Sequence, residues 1–230
     1  MSADRERHNV ETNLQPREHP WELAWREGRW KEVTPPLPTV QDFAAELKLA
    51  NARLVLDLGS GAGRHALYFA KMGFVVAALD VSETALKTLE SHSKELDLHD
   101  MIIIKHDMLM LPFRDDYFDG MISTHVIHHG TMSEISKTIN EIFRVIRKGG
   151  IGYIIALSEN DFKLGQGNRL EQGTYVPTEG EERGIPHHLF TKEGLMNSMR
   201  AFEILSLKED ISQTEVGNRA HFHIRFRKPK

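Results

Sequence analysis

The chain has 230 residues, with 33 acidic against 29 basic side chains, 13 His and no Cys, and 40% of its residues are hydrophobic. That length suits one domain with an ample core, and the net charge of −4 argues against bulk electrostatic attraction to nucleic acid or anionic lipid. Absence of Cys excludes disulfides, thiolate nucleophiles and zinc–thiolate sites. No apolar run reaches the roughly 18–20 residues that cross a bilayer, and the charged start MSADRERHNV lacks a signal peptide's apolar stretch, so a soluble, cytoplasmic protein is expected.

Residues 1–20 hold seven charges and read as a disordered tail. Trp21 and Trp25 follow at helical i, i+4 spacing, with Trp30 close behind. Thr34-Pro-Pro-Leu-Pro38 interrupts any helix before it, and a helix over Val40–Leu49 completes an amino-terminal lid at 21–51. The main domain, 52–230, then alternates. Short apolar strands are expected at Arg53–Leu56, Phe74–Leu79, Met101–Ile104, Phe118–Ser123 and Gly150–Leu157, with helices at Arg64–Met72, Val81–Leu96 and Ser133–Ile146. Strands apolar along their whole length, separated by helices, imply an α/β fold: a Rossmann-like, doubly wound, seven-stranded and mostly parallel sheet. The rhythm breaks at Ser158. A polar stretch, 158–190, reads as a substrate-side insertion, before a helix at Thr191–Arg200 and two strands, Phe202–Lys208 and His221–Arg227, expected to pair as an antiparallel hairpin at the sheet edge.

The stretch Val55-Leu-Asp57-Leu-Gly59-Ser60-Gly61-Ala-Gly63-Arg64 places a glycine-rich turn between the first strand and its helix. Such a turn lets a ligand approach the backbone closely, beside the free N–H groups of a helix start. The dinucleotide pattern G-x-G-x-x-G fails here because its last position is Arg64. Asp57, two residues ahead of the first Gly, can meet a ligand ammonium, which a pyrophosphate site would not favour. Asp80 ends the second strand, 23 residues on, where an acid can accept from both ribose hydroxyls. Asp107 follows the third strand, in reach of an adenine amine. Ammonium, ribose and adenine are the three demands, and S-adenosylmethionine meets them all.

These residues, together with Phe118-Asp-Gly-Met-Ile-Ser-Thr-His-Val-Ile-His-His129 and Arg144-Val-Ile-Arg-Lys-Gly-Gly150, make the chain resemble the class I S-adenosylmethionine-dependent methyltransferases. The resemblance implies that Gly59, Gly61 and Gly63 pack against methionine and ribose, with Ser60, Arg64 and Val81 beside them. It implies further that Asp80 holds the ribose diol, that Asp107 and the Met108 backbone read adenine, and that Ser123 and Thr124 flank the methionine portion with His125. Trp25 and Trp30 are expected to cover the cofactor, and S-adenosylhomocysteine would be the product. The Trp-rich lead and the Gly-Arg after the loop resemble the small-molecule branch that includes tellurite-resistance methyltransferases. The Val-Ile-His-His segment also resembles tRNA wobble-uridine methyltransferases, and a cofactor-sensing module that transfers nothing would share the same cofactor residues.

Methyl transfer asks mainly for positioning and exclusion of water. If the acceptor carries a proton, His125, His129 and then His188 are the candidate bases; a soft anion would need none. A metal at His125, His128 and His129 would require an added carboxylate or His187-His188, and no metal is expected. His221 and His223 share a strand face and are expected to pack at the surface or edge, whereas Arg169 and Arg183 in the insertion hint at an acidic or oxyanion acceptor.

Overall fold

The computed structural model describes residues 18–28 and 34–230. Most of the expected tail lies outside the described residues, as does Trp30, but Glu18–Pro20 are ordered and Pro20 already begins the first helix, α1 (Pro20–Arg26). A second helix, α2 (Pro38–Leu49), starts on a proline, whose fixed φ and missing N–H suit a first helical position. Then come β1 (Leu54–Leu58), α3 (Ala66–Lys71), β2 (Val75–Asp80), α4 (Glu83–Glu95), β3 (Met101–Lys105), β4 (Phe118–Thr124), α5 (Met132–Val145) and β5 (Ile146–Leu157). Three short strands follow, β6 (Asn168–Glu171), β7 (Thr174–Val176) and β8 (His187–His188), then α6 (Lys192–Ser198), β9 (Glu203–Thr214) and β10 (Gly217–Arg227).

Seven strands form one sheet in the order β3-β2-β1-β4-β5-β10-β9. The first five are parallel, and β10 runs antiparallel to both β5 and β9. The fold is therefore the expected mostly parallel, Rossmann-like sheet closed by an antiparallel carboxyl-terminal hairpin. Alternation along each strand divides the core between the two faces. Leu56 and Leu58 of β1 join Phe118, Ile135, Ile142 and Phe226 beneath α5 and α6. Val55 joins Phe43, Phe69, Val76 and Leu89 beneath α2, α3 and α4.

Local chemistry fixes the helix starts. Ser82 accepts from Ala85 N at 3.2 Å to cap α4. Thr131 and Glu134 form a capping box at the head of α5, whose Ile135, Ile139, Ile142 and Val145 are buried at helical spacing. Arg144, near the end of α5, donates to the carbonyls of Leu111 and Phe113 at 2.9 and 2.6 Å and so clasps the loop before β4.

Sequence order reverses between β1 and β4, and open α/β sheets bind ligands at the carboxyl ends of the strands on either side of such a switch. The stretch 158–190 is not a plain loop. Its strands β6, β7 and β8 build a separate antiparallel sheet too short to show a periodic sequence pattern. Among the described residues, no helix is long and apolar enough to cross a membrane.

Candidate functional site

The glycine loop is shaped by what touches it. Gly59 has φ +74°, and a Cβ there would lie 2.3 Å from Val126 Cγ2; Gly63 has φ +89°, with Leu89 Cδ1 2.1 Å from its would-be Cβ. Left-handed backbone and absent space both demand glycine at these two positions. Gly59 and Ser60 donate from their N–H groups to Leu79 O, which stitches the loop to the end of β2. Asp80 then turns both oxygens on backbone amides, accepting from Gly61 N at 2.8 Å and Ser82 N at 2.9 Å.

Burial pushes the Asp80 carboxyl up, and the amides restrain the rise. Asp57 is buried behind the loop, where desolvation and the nearby Asp80 charge push it up to about 7. Asp57 Oδ2 and Ser60 Oγ are enclosed and have no hydrogen-bond partner among the described residues. Two orphaned polar atoms beside a glycine loop, one of them on a carboxyl, fit a ligand that brings its own donors, as an ammonium does.

Helix α1 covers this loop. Trp25 Cζ2 stands 3.0 Å from the position a Gly61 Cβ would take. Glu22 ties the helix down by accepting from Ser82 Oγ at 2.8 Å and Thr84 Oγ1 at 2.6 Å, at the head of α4. The α1 cap is His19, whose Nδ1 accepts from Trp21 N at 3.3 Å. Burial lowers the His19 pKa against the pull of Asp107 and Asp80. No pattern in the sequence marks His19 as a site residue, because the helix that carries it docks through tertiary contacts alone.

Beneath α1 lies a cavity of about 610 Å³, within the roughly 300–1,000 Å³ of small-ligand sites. Its walls join Gly59, Ser60, Gly61, Arg64, Asp80, Val81, Asp107, Met108, Thr124 and Trp25 to a histidine-rich half. Asp57 and Gly63 stand behind that wall, and Ser123 is withdrawn altogether, since it is buried and donates its hydroxyl to Leu58 O at 3.1 Å. Ser123 thus bridges two strands and does not flank a ligand.

Seven histidines line the cavity: 19, 65, 106, 125, 128, 129 and 221. The surface or edge packing expected of His221 is corrected, because its ring meets His125 edge to face at 4.6 Å. His223 contacts the Tyr153 hydroxyl at 2.6 Å. His125 ends β4 with φ +59°, an unusual backbone for a residue other than glycine and a mark of functional sites. Protein crowded around the cavity, together with the neighbouring His221 and His223, lowers its pKa, although the residue itself is exposed to the open cavity.

His128 is held well below its ordinary pKa by burial and by His129 and His187. It accepts from Leu157 N through Nδ1 at 3.2 Å, and its carbonyl accepts from His188 N at 2.8 Å, so it is a joint between loops. Burial likewise lowers His129 and His188. His188 lies outside the cavity wall, its Nδ1 2.9 Å from Thr174 Oγ1. A neutral imidazole that resists protonation is a weak proton acceptor, which departs from the expectation of a histidine base. Arg169 and Arg183 do not line the cavity; Arg64, Lys163 and Arg219 do.

Residues 56–154 match the family of methyltransferase domains. The matched stretch contains the glycine loop, Asp80 and Asp107, the residues that carry the resemblance to the class I S-adenosylmethionine-dependent methyltransferases. Its fold is similar to that of a S-adenosylmethionine-dependent methyltransferase from Methanosarcina mazei, at 22% identity and a TM-score of 0.69, over 85% of this chain and 99% of the other. It is similar also to the 1,6-didemethyltoxoflavin-N1-methyltransferase of Burkholderia thailandensis with bound 1,6-didemethyltoxoflavin and S-adenosylhomocysteine. That likeness has 19% identity and a TM-score of 0.68, over 91% and 86% of the two chains. TehB from Haemophilus influenzae is a third, at 19% identity and TM-score 0.62, covering 82% of this chain and 62% of TehB. No curated protein matches the sequence.

Proposed function

We propose that this chain is an S-adenosylmethionine-dependent methyltransferase that moves the sulfonium methyl to a small-molecule acceptor which reaches the site already nucleophilic, such as a soft anion. One observation carries the reading. The glycine loop with its strand-end acids and the histidine-rich half are walls of a single cavity of about 610 Å³ under α1. A space of that size suits a cofactor with a small partner rather than a folded RNA. The Burkholderia enzyme of similar fold holds a small heterocycle together with S-adenosylhomocysteine, which supports the same division. The basic carboxyl-terminal end is already engaged, Arg225 with Glu46, Arg227 with Glu203 and Lys228 with Asp116, and so offers little to a tRNA.

Bound S-adenosylmethionine supplies the electrophilic methyl: the acceptor's lone pair forms the new bond as the methyl–sulfur bond breaks and its electrons stay on sulfur. In this reading Asp57 meets the methionine ammonium, Asp80 the ribose diol, and Asp107 with the Met108 backbone the adenine. Trp25, on α1, closes over the loop and excludes water. His125, whose pKa is lowered by its crowded surroundings and by His221 and His223, shapes and polarises the acceptor space as a neutral ring. Thr124 Oγ1, 3.3 Å from His65 Nδ1, supports the same wall.

Calorimetric titration with S-adenosylmethionine, followed by an acceptor panel read by S-adenosylhomocysteine release, tests the proposal. Turnover on small thiols, selenols or oxyanions is expected. Binding without turnover on any of them, or turnover on tRNA alone, overturns it.

A further inference from the structure

One cluster of side chains on the acceptor side is not used by the methyl-transfer reading. His129 lies in the loop between β4 and α5, whereas Glu182 and His187 come from the 158–190 stretch. A ring nitrogen of each histidine and a carboxylate oxygen of Glu182 lie within 4.8 Å of one another. The His187 ring is fixed in one sense, because its Nδ1 lies 2.8 Å from the Ile185 carbonyl. A carbonyl only accepts, so Nδ1 carries a proton and Nε2 is the ring nitrogen aimed into the cluster. That Nε2 stands 3.1 Å from Glu182 Oε2.

A carboxylate oxygen so close to an imidazole nitrogen calls for positive charge beside it. Lys163 supplies it here, its ammonium bonded to Glu182 Oε2 and 3.4 Å from His187 Nε2. On the third side, His129 Nε2 is buried without a partner among the described residues, and the two imidazole rings stand nearly perpendicular, at 84° and 4.8 Å between centroids.

We propose that His129, Glu182 and His187 bind a divalent first-row transition-metal ion, zinc foremost, and that Lys163 is the competing cation that holds the position in its place. Two imidazoles and one carboxylate are the ligand types of open zinc sites, which keep a further position for water or substrate, and of iron(II) sites. A ring N–H anchored on a backbone carbonyl is the usual support of a metal-bound histidine. Ligand atoms about 2.0–2.2 Å from a tetrahedral ion stand about 3.4 Å apart, so the cluster would close by roughly an ångström.

His129, Lys163 and Glu182 all line the cavity, so the open position faces the acceptor space. A metal there would bind the acceptor's heteroatom and keep it deprotonated near neutral pH. This last role rests on the methyltransferase reading; the metal site itself does not. From the sequence, a metal requires an added carboxylate or His187-His188, no carboxylate can be named, and no metal is expected. The carboxylate that completes the set lies 53 residues from His129.

The test uses the full-length, untagged protein, stripped with a chelator and titrated with Co²⁺ and Zn²⁺ in the absence of cofactor and acceptor. Saturable binding of one ion per chain is expected, with the intense visible bands of four-coordinate cobalt. Glu182→Gln and His187→Ala should each weaken Zn²⁺ binding by about tenfold or more, and Lys163→Met should tighten it severalfold by removing the competitor. Circular dichroism checks that each variant folds. No saturable binding below millimolar metal overturns the site, as does binding that survives Glu182→Gln or is not tightened by Lys163→Met. Because cofactor is absent throughout, failure here leaves methyl transfer standing, and failure to bind S-adenosylmethionine leaves the metal result standing.

Discussion

The two halves of the cavity are built in opposite ways. The cofactor half uses carboxylates and backbone amides at the ends of β1, β2 and β3, all drawn from residues 57–108. The acceptor half uses imidazoles and a few cations, drawn from the end of β4, the 158–190 stretch, β10 and α1. In the first half burial raises acids, so charge is poised to appear when a cationic ligand arrives. In the second, burial and crowding lower histidines, so the rings stay neutral and accept hydrogen bonds or metals more readily than protons. One type of desolvation, acting on acids and on bases, gives the two halves their separate chemistry.

The largest effect that would separate the halves is expected at Asp80. Asp80→Ala removes two amide partners and, in the proposed reading, the acceptor for a ribose diol; at about 1.5–3 kcal/mol per charged hydrogen bond, cofactor affinity should fall roughly 100-fold. Calorimetry that finds affinity unchanged would break the assignment.

Gly63→Ala comes next. It forces a Cβ to within 2.1 Å of Leu89 Cδ1 at a φ of +89° and should cost about 2 kcal/mol of stability, read as a lower urea midpoint with an unchanged m-value.

A pH effect of about tenfold per unit sharpens the electrostatic contrast. Asp57 has a folded pKa of about 7, raised by burial and by Asp80, which itself faces His19. The native state therefore binds more protons than the unfolded chain between the ordinary carboxyl value of 3.8 and about 7, and this group's contribution to stability falls as pH rises through that window. Cofactor affinity should run the other way, rising with pH up to about 7 and then levelling. In Asp57→Asn that dependence should vanish; persistence of the slope would remove Asp57 from the ammonium site.

The smallest effect is expected at His125. Changing it to Gly relieves a φ of +59°, a gain of about 1 kcal/mol that offsets the lost ring contact with His221, so stability should move by less than about 1 kcal/mol. Turnover should fall while cofactor affinity holds. A matching loss of cofactor affinity would mean that the halves are not separable.

The same division governs how much could be read from the chain. The glycine loop, Asp80 and Asp107 are legible because strand, turn and helix follow one another within a few residues, and each strand end delivers its acid to one edge of the sheet. Ser123 misleads for a local reason. Strand alternation turns it inward to Leu58 O, while Thr124 beside it faces the cavity. His221 misleads because strand pattern shows which face a side chain takes, not that β10 lies next to β5 and brings its start beside His125.

Sequence alone determined the main strands and helices, the parallel sheet and its acid-lined edge, since periodicity, caps and glycine positions are properties of neighbours along the chain. Tertiary structure decided which histidines meet, that α1 roofs the loop through Glu22, and that Glu182 joins His129 and His187. Those contacts join segments tens of residues apart, and only packing of the sheet and its outer strands brings them within the few ångströms at which charge and lone pairs act.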